Sequence, residues 1–444
     1  MLGGSIRRDR RSHRRVWTTI LTLSLVGSAT VTSAASTAVA APPSVASPTV
    51  VYPTGEFPDD VIAVQEAVDG GGTVLLKTTN AAGVPTAFAF GDTVEESSGV
   101  IVRNRDVAIV GERTPTARAT IEGGFIPVFG AGNVTMRVDN LRFVDPILSA
   151  VIVIRSTGAQ ITRNEVSGVV GLDLGFATEG RGFKFLGNAN PLHAITGTIL
   201  LRDNVVRDLD ASLSEAFVFD EVAADVTIAS NTVERAAGGG VLAIAQHGDM
   251  TISQNSFAPG PDPGVGAFGS GVAIYGGEGR VTVTENQFTL ENTIADGVLL
   301  WGDEGFGGRI VSASITKNRF DLRHTLYGAV TLIDQVDGTY VGQNRVVGTS
   351  GSVFAIVPSG FVDAATANRN AFIGNELAST NVDVAHILLL DNAINTTVRG
   401  RSGTVFDGGV GTSITGLTPM KGAAPPVSGR RPLAPSPGFH PFAF

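Results

Sequence analysis

The sequence predicts an all-β chain wound as a single-stranded, right-handed parallel β-helix, with a short α-helix capping its first coil. Three observations carry this prediction. Short β-patterned runs ending in Asn recur along the chain, and a second family of apolar strands, mostly opened by Gly, falls between them. The composition agrees: 56 Gly in 444 residues and 16% charged residues, against a typical ~7% and ~25%, suit many tight turns joined by uncharged strands.

The N-terminus comes first and stands apart. Arg7, Arg8, Arg10, Arg11, Arg14 and Arg15 precede a mostly apolar run from Val16 to Val31, and Ala38-Val39-Ala40 follows as a small-x-small site. This is the pattern of a secretory signal peptide over residues 1–40. Thr, Ser and Gly dilute the run too much for a membrane anchor. Arg14-Arg15 admits a twin-arginine signal, although Trp17 and Thr18 fit one poorly. Residues 41–57 are expected to be a linker. Without residues 1–40 the chain carries 26 basic and 40 acidic residues, a net charge of −14. So acidic a chain is a poor nucleic-acid binder, because phosphates demand basic surface. No second apolar run approaches the length of a membrane span. The absence of Cys leaves stability to packing and hydrogen bonds.

Residues 58–68 form the expected capping helix. Asp59 and Asp60 lie in its first turn, Val61, Val64 and Val68 on one side, and Gly70-Gly71-Gly72 stops it before the strand Thr73-Val-Leu-Leu76. A stack of parallel strands exposes its first edge, so a cover there prevents pairing with another chain.

The repeat follows, and the β-helix is expected to extend to residue 418. Its Asn residues are Asn140, Asn164, Asn204, Asn231, Asn255, Asn286, Asn318, Asn344 and Asn375, spaced 24, 40, 27, 24, 31, 32, 26 and 31 apart. An apolar residue comes two places after nearly all of them: Val166, Val206, Val233, Phe257, Phe288, Phe320, Val346 and Leu377. One coil cannot bury its own apolar face, but coils stacked ~4.8 Å apart share a core. The nine Asn are expected to be a structural ladder, each tolerating the left-handed bend and bonding its counterpart one coil away. Uneven spacing predicts loops of varying size on a constant frame. Residues 419–444 hold seven Pro and are expected to be a disordered tail; packing of Phe439, Phe442 and Phe444 over the last coil is the alternative.

The run Asp59-Asp60-x-x-Ala63-Val64-Gln65-x-Ala67-Val68-x-Gly70-Gly71-Gly72-Thr73-Val74 resembles the capping helix and first strand of pectin-lyase-like proteins. The Asn-ended coils of residues 133–400 are similar to the repeats of that superfamily. The resemblance implies the fold and leaves function open, since lyases, hydrolases, epimerases, tail fibres and adhesins share it.

Functional expectations fall on the Gly-opened strands. Aligning them on Phe219, Ile244, Ile274, Leu300, Leu332 and Ile356 as inward residues puts Asp220, Ala245, Tyr275, Trp301, Ile333 and Val357 outward. Tyr275 and Trp301 would then stack against sugar rings, with Asp303 and Glu304 beside them, or would be ordinary loop-covered aromatics. The following turns carry Asp220, Glu221, His247 and Asp249. Their meeting would give a carboxylate pair for glycoside hydrolysis, or a Ca²⁺ site from Asp220, Glu221 and Asp249; solvated turns are the plain alternative. The long 40-residue interval suggests that a loop over 176–193 delivers Arg181 or Lys184 as a base for uronate β-elimination. No Arg-x-Pro-x-x-Arg of the pectate-lyase type occurs, and Gln246-His247-Gly248-Asp249 only partly matches the Gly-His-Gly of polygalacturonases. With no His or Met cluster a copper site is not expected, and calcium is the sole cofactor considered. The expected partner is a polysaccharide, and the expected location is extracellular. With no complete catalytic motif, the expected role is binding of that polysaccharide along the exposed sheet groove, and a lyase or hydrolase working near residues 220–304 is the alternative.

Overall fold

Each turn of the chain lays down three short strands, and each strand pairs in parallel with its counterpart one coil on. The computed structural model describes residues 47–420 except 176–177, 188–193, 261–268, 292–295, 304–307, 326–327 and 360–365. The expected signal peptide, residues 41–46 of the linker and the tail from residue 421 lie outside the described residues. The described residues fall within one compact unit.

The first face is a 14-stranded sheet that runs from Thr49–Val51 through Gly72–Leu76 and Asp225–Ala229 to Ser413–Thr415. The second face holds the strands after the Asn positions, such as Thr232–Ala236 and Gln287–Glu291. The third holds the Gly-opened strands, including Glu215–Asp220, Gly239–Gln246, Val272–Gly277 and Val298–Gly302. Register is kept coil after coil, as in Val226↔Met250↔Val281 on the first face and Val272↔Val298↔Val330 on the third. Parallel strands joined by crossovers of this kind turn right-handed. The fold is a right-handed parallel β-helix.

The corner between the first two faces shows how the repeat works. The left-handed residue is not the Asn but the one before it: Arg163, Asp203, Ser230, Gln254, Glu285, Lys317 and Gln343 have φ between 56° and 58°. The Asn that follows is thereby turned inward and buried. Its Oδ1 accepts both the backbone N–H and the side-chain N–H of the Asn one coil earlier, as Asn286 does from Asn255 at 2.9 Å each. Its Nδ2 donates to the Asn Oδ1 of the next coil and to a carbonyl on the first face, here Asn318 at 3.0 Å and Ile252 at 2.9 Å. Eight Asn, from Asn164 to Asn375, form one unbroken ladder. Asn140 stands one residue out of register. It occupies the left-handed position itself (φ 56°), and Leu141 takes the ladder place, donating its N–H to Asn164 Oδ1 at 3.0 Å.

Inside, the residues two places after each Asn form a stacked column. Phe257, Phe288 and Phe320 lie ring on ring with centroids 5.3 and 4.8 Å apart. This column explains the glycines that open the third-face strands. A Cβ on Gly240, Gly271 or Gly297 would fall 2.4, 2.3 or 2.4 Å from the ring of Phe257, Phe288 or Phe320. The glycines are there for close approach, not for turning.

The capping helix spans Asp59–Gly70. Buried Asp60 ties the preceding chain to it, accepting from Thr54 N–H at 2.7 Å, Gly55 N–H at 3.0 Å and Ala89 N–H at 2.8 Å. Gln65 replaces a missing strand. Its Oε1 accepts Ile101 N–H at 2.7 Å and its Nε2 donates to Ile101 O at 3.1 Å, which satisfies part of the open edge. No helix among the described residues is long and apolar enough to cross a membrane.

Candidate functional site

The outer side of the third face is the place where charge has been withdrawn from water. Register fixes its two outward columns. One runs Ile152, Lys184, Val218, Leu242, Ala273, Leu299 and Thr331, and the other Leu186, Asp220, Ile244, Tyr275, Trp301 and Ile333. The sequence alignment was one residue out at a single coil: Ala243 points inward beside Phe219, and Ile244, not Ala245, joins the outward column. Ala245 is the residue that bends the chain, with φ 49°.

Arg181 and Lys184 do not come from a loop. They belong to the strand Arg181–Leu186, a regular third-face strand paired with Ser149–Arg155 on one side and Glu215–Asp220 on the other. Only residues 176–177 and 188–193 of the expected loop lie outside the described residues. Before the strand, Leu172–Asp173 and Thr178–Glu179 form a small antiparallel pair, which delivers Glu179 to the strand's first turn. Glu179 Oε1 accepts from Arg181 Nε at 2.8 Å and from Lys184 Nζ, and Arg181 Nη1 pairs with Glu215 Oε2. Asp220, one coil on, is close enough to act electrostatically on both cations.

The protonation states diverge across this cluster. Burial opposes ionisation of Glu179, but Arg181 and Lys184 outweigh it and hold the carboxyl below its usual range. Burial, with Arg181 beside it, pulls Lys184 down. Burial and the neighbouring Glu221 push Asp220 up to about 6 against the pull of Lys184 and Arg181. Burial also raises Glu215, although Arg181 opposes it. Three coils further along, burial pushes Asp296 up to about 7 while Thr331 Oγ1–H and Gly328 N–H donate to it. Lys184 and Asp220 are half-buried, not sealed. An acid raised and a base lowered on neighbouring coils are the pairing that proton transfer near neutral pH requires.

Other expected residues lie elsewhere. Tyr275 and Trp301 are adjacent and outward, with centroids 5.6 Å apart, but their exposures are 5% and 1%, so neither offers an open face to a sugar. Trp301 Nε1–H instead donates to buried Asp334 at 2.9 Å. Asp303 is buried in an antiparallel bridge to Gly308, and Glu304 lies outside the described residues. His247 and Asp249 leave Asp220 altogether. The turn carries them onward to the first face, where His247 Nδ1 lies 3.5 Å from Glu278. Asp249 takes its place in a stack of turns, its N–H donating to Asp225 and its Oδ1 accepting from Arg280 N–H. The calcium trio therefore does not converge: Asp220 ends a third-face strand, Glu221 is the left-handed residue after it (φ 51°), and Asp249 starts the first face. Among the described residues no three acidic or histidine side chains are grouped to hold an ion. Sequence reasoning missed Glu179, Glu215 and Asp296. Glu215-Ala-Phe-Val-Phe-Asp220 carried a signal, two acids bracketing a strand otherwise apolar.

No family model matches the chain, and no curated protein matches it. Solved structures do. The A-module of the mannuronan C-5 epimerase AlgE4 from Azotobacter vinelandii is 14% identical, over 82% of this chain and 96% of that one, with a TM-score of 0.43. The DFA-IIIase of Arthrobacter chlorophenolicus A6 in complex with GF2 is 12% identical, over 80% and 94%, with a TM-score of 0.45. The family 28 exopolygalacturonase of Yersinia enterocolitica is 10% identical, over 86% and 77%, with a TM-score of 0.33. In fold, this chain is a right-handed parallel β-helix. That conclusion rests on its own strand pairing.

Proposed function

We propose that the mature chain is exported and cleaves an acidic polysaccharide by β-elimination at the Lys184–Asp220 pair. The carrying observation is the opposed pair itself, a lysine drawn down and a carboxyl pushed up to about 6 on adjacent coils of one sheet face. In its uncharged form, which burial and Arg181 favour, Lys184 keeps one N–H on Glu179 and turns its lone pair to the C5 proton of a uronate. As that proton moves to Nζ, the C4–O4 bond breaks and Asp220 gives its proton to O4, leaving an unsaturated sugar and a new chain end. Arg181 acts as a positioning residue, fixing Glu179 and Glu215 and disfavouring charge on Lys184.

The purified chain, mixed with polygalacturonate, alginate and a neutral glucan, is expected to raise ultraviolet absorbance with the uronates alone. Asp220→Asn and Lys184→Met should each lower the rate by about 10²–10⁴-fold, and kcat/KM should fall as pH rises through about 6, where Asp220 loses its proton. Cleavage of none of the three sinks the proposal, and retention without cleavage assigns a binding module instead. Glycoside hydrolysis by Asp220, whose carboxyl the Glu221 charge helps to raise, is the second reading. New reducing ends without absorbance would select it.

A further inference from the structure

The last described coils close over a histidine. Between Thr397–Arg399 on the first face and Thr404–Asp407 on the third, the chain has no second-face strand and crosses in residues 400–403 alone. Gly403 makes that crossing possible. Its φ is 118°, and a Cβ there would stand 3.3 Å from His386 Cγ and 3.4 Å from Leu377 Cδ1, so the turn lies directly on the imidazole. His386 precedes the pairings Ile387↔Val405, Leu388↔Phe406 and Leu389↔Asp407. These seat the strand Thr404–Asp407 on the strand Glu376–Leu389.

The imidazole stands in for a backbone carbonyl where this pairing begins. Thr404 N–H donates to His386 Nδ1 at 3.2 Å, Thr404 Oγ1 lies 3.0 Å from the same nitrogen, and His386 N–H donates to Thr404 Oγ1 at 3.3 Å. A backbone N–H can only donate, so Nδ1 is the unprotonated nitrogen. The ring also donates to the Thr380 backbone, which puts its proton on Nε2. Burial holds the imidazole below its usual range, and the Thr380 contact opposes this only in part. Charged groups on the surrounding elements are engaged with one another or exposed. Arg345 lies 3.7 Å from Glu376, Asp407 accepts from Gly409 N–H and Thr412 Oγ1–H, and Asp383, Arg399 and Arg401 are exposed.

We propose that His386 is an acid-sensitive latch that seats the strand Thr404–Asp407, and that protonation of Nδ1 releases it. A protonated ring has two donors and no acceptor. Thr404 Oγ1 can turn to accept the new N–H, but Thr404 N–H cannot, and it is left facing another donor. Because the folded imidazole titrates below the unfolded ~6.5, the latch holds fully above that value. It is lost as pH falls from there toward the folded value. Release takes Thr418–Pro419 along, since Thr404↔Thr418 and Val405↔Pro419 are its pairings. The first face keeps its own pairing of Thr397–Arg399 with Ser413–Thr415. What opens is the edge of Glu376–Leu389, and a bare edge is a template for strand pairing. The latch is independent of the chemistry at Lys184 and Asp220.

The test is hydrogen exchange of the full chain at pH 7.5 and pH 5, read by mass spectrometry as protection factors so that intrinsic exchange rates cancel. Amides of residues 404–408 and 418–420 are expected to lose about tenfold in protection at pH 5, the effect of one orphaned donor. Those of residues 397–400 should keep theirs. His386→Asn offers an amide oxygen near the place of Nδ1 and cannot titrate, so its protection should be the same at both pH values. His247→Asn, at an exposed histidine on another coil, should keep the wild-type loss. If His386→Asn fails to fold, the wild-type contrast between the two faces decides alone. No loss in the wild type, an equal loss in residues 397–400, or a loss that persists in His386→Asn overturns the proposal.

Discussion

Replacing Asn286 by Ala isolates what the ladder contributes. The side chain of Asn286 takes part in five hydrogen bonds. Its Oδ1 accepts from Asn255 N–H and Nδ2–H at 2.9 Å, and its Nδ2 donates to Ile252 O at 2.9 Å, Thr284 O at 3.0 Å and Asn318 Oδ1 at 3.0 Å. After truncation Asn255 Nδ2 still reaches Ile228 O, and Asn318 Oδ1 still accepts Asn286 N–H. Asn255 N–H is the group stranded without water. One orphaned buried donor costs about 1–3 kcal/mol and each satisfied bond lost about 0.5–1.5 kcal/mol. With four other bonds lost beside the orphaned donor, the lower ends of these ranges already give about 3 kcal/mol, a large fraction of the ~5–15 kcal/mol that holds a domain folded. Asn286→Asp should be worse at neutral pH, because a second carboxylate oxygen would face three acceptors. Its folded pKa would rise above the unfolded ~3.9, so the penalty is absent below pH ~4 and grows as pH rises toward the folded value. Urea unfolding at pH 4 and 7, with exposed Gln287→Ala as control, measures both. Loss within ~0.5 kcal/mol of that control, or Asp tolerated better than Ala at neutral pH, would refute the ladder as a stabilising device.

Two further outcomes follow from packing and burial. Gly271→Ala places a Cβ 2.3 Å from the Phe288 ring and should cost about 1–3 kcal/mol in urea midpoint measurements. Phe288→Leu in the same chain should recover part of it, with a coupling above ~0.5 kcal/mol, and additivity of the two losses would deny the contact. Asp296→Asn keeps an oxygen for Gly328 N–H and Thr331 Oγ1–H while removing a carboxyl whose folded pKa is raised to about 7. That shift weakens the wild type as pH climbs from the unfolded ~3.9 toward 7. The variant should therefore gain stability over wild type across that window and hold a constant advantage above it; identical pH slopes would contradict a buried, proton-holding Asp296.

Much of the frame was legible because its causes are local. The Asn and the apolar residue two places on recur in one short motif, and the motif fixes both the corner and the core column. What the motif hid was the division of labour within it. The left-handed conformation belongs to the preceding residue, which is Arg163, Asp203, Ser230, Gln254, Glu285, Lys317 or Gln343. Residues so chemically varied leave no pattern to find, and the Asn that follows is conserved in kind along the chain because it must bond another Asn. Asn140 looked like the rest and is not, since Leu141 stands where the amide should be. The Gly openings were equally visible, yet their reason, rings of Phe257, Phe288 and Phe320 from a neighbouring face, is a contact across the core.

The site was less legible, and for a related reason. Residues far apart in sequence meet only through register, and a one-residue slip exchanges inside for outside. The coil containing Ile244 holds such a slip, and it brings the turn residues His247 and Asp249 beside Asp220 on paper although the chain carries Asp249 to the start of the first face. The sequence marks Arg181 and Lys184 as candidates on a loop, because Phe176 to His193 interrupts the spacing without announcing the strand Arg181–Leu186 inside it. That strand changes the chemistry. A cation on a mobile loop is hydrated and keeps an ordinary pKa, whereas one locked between two coils is desolvated and titrates toward neutrality. The same rigidity that makes the ladder a stabilising element also holds Lys184 and Asp220 half-buried, which draws the lysine down and pushes the carboxyl up. Loosening the ladder in the same coils, at Asn164 or Asn204, should return both groups toward their usual protonation.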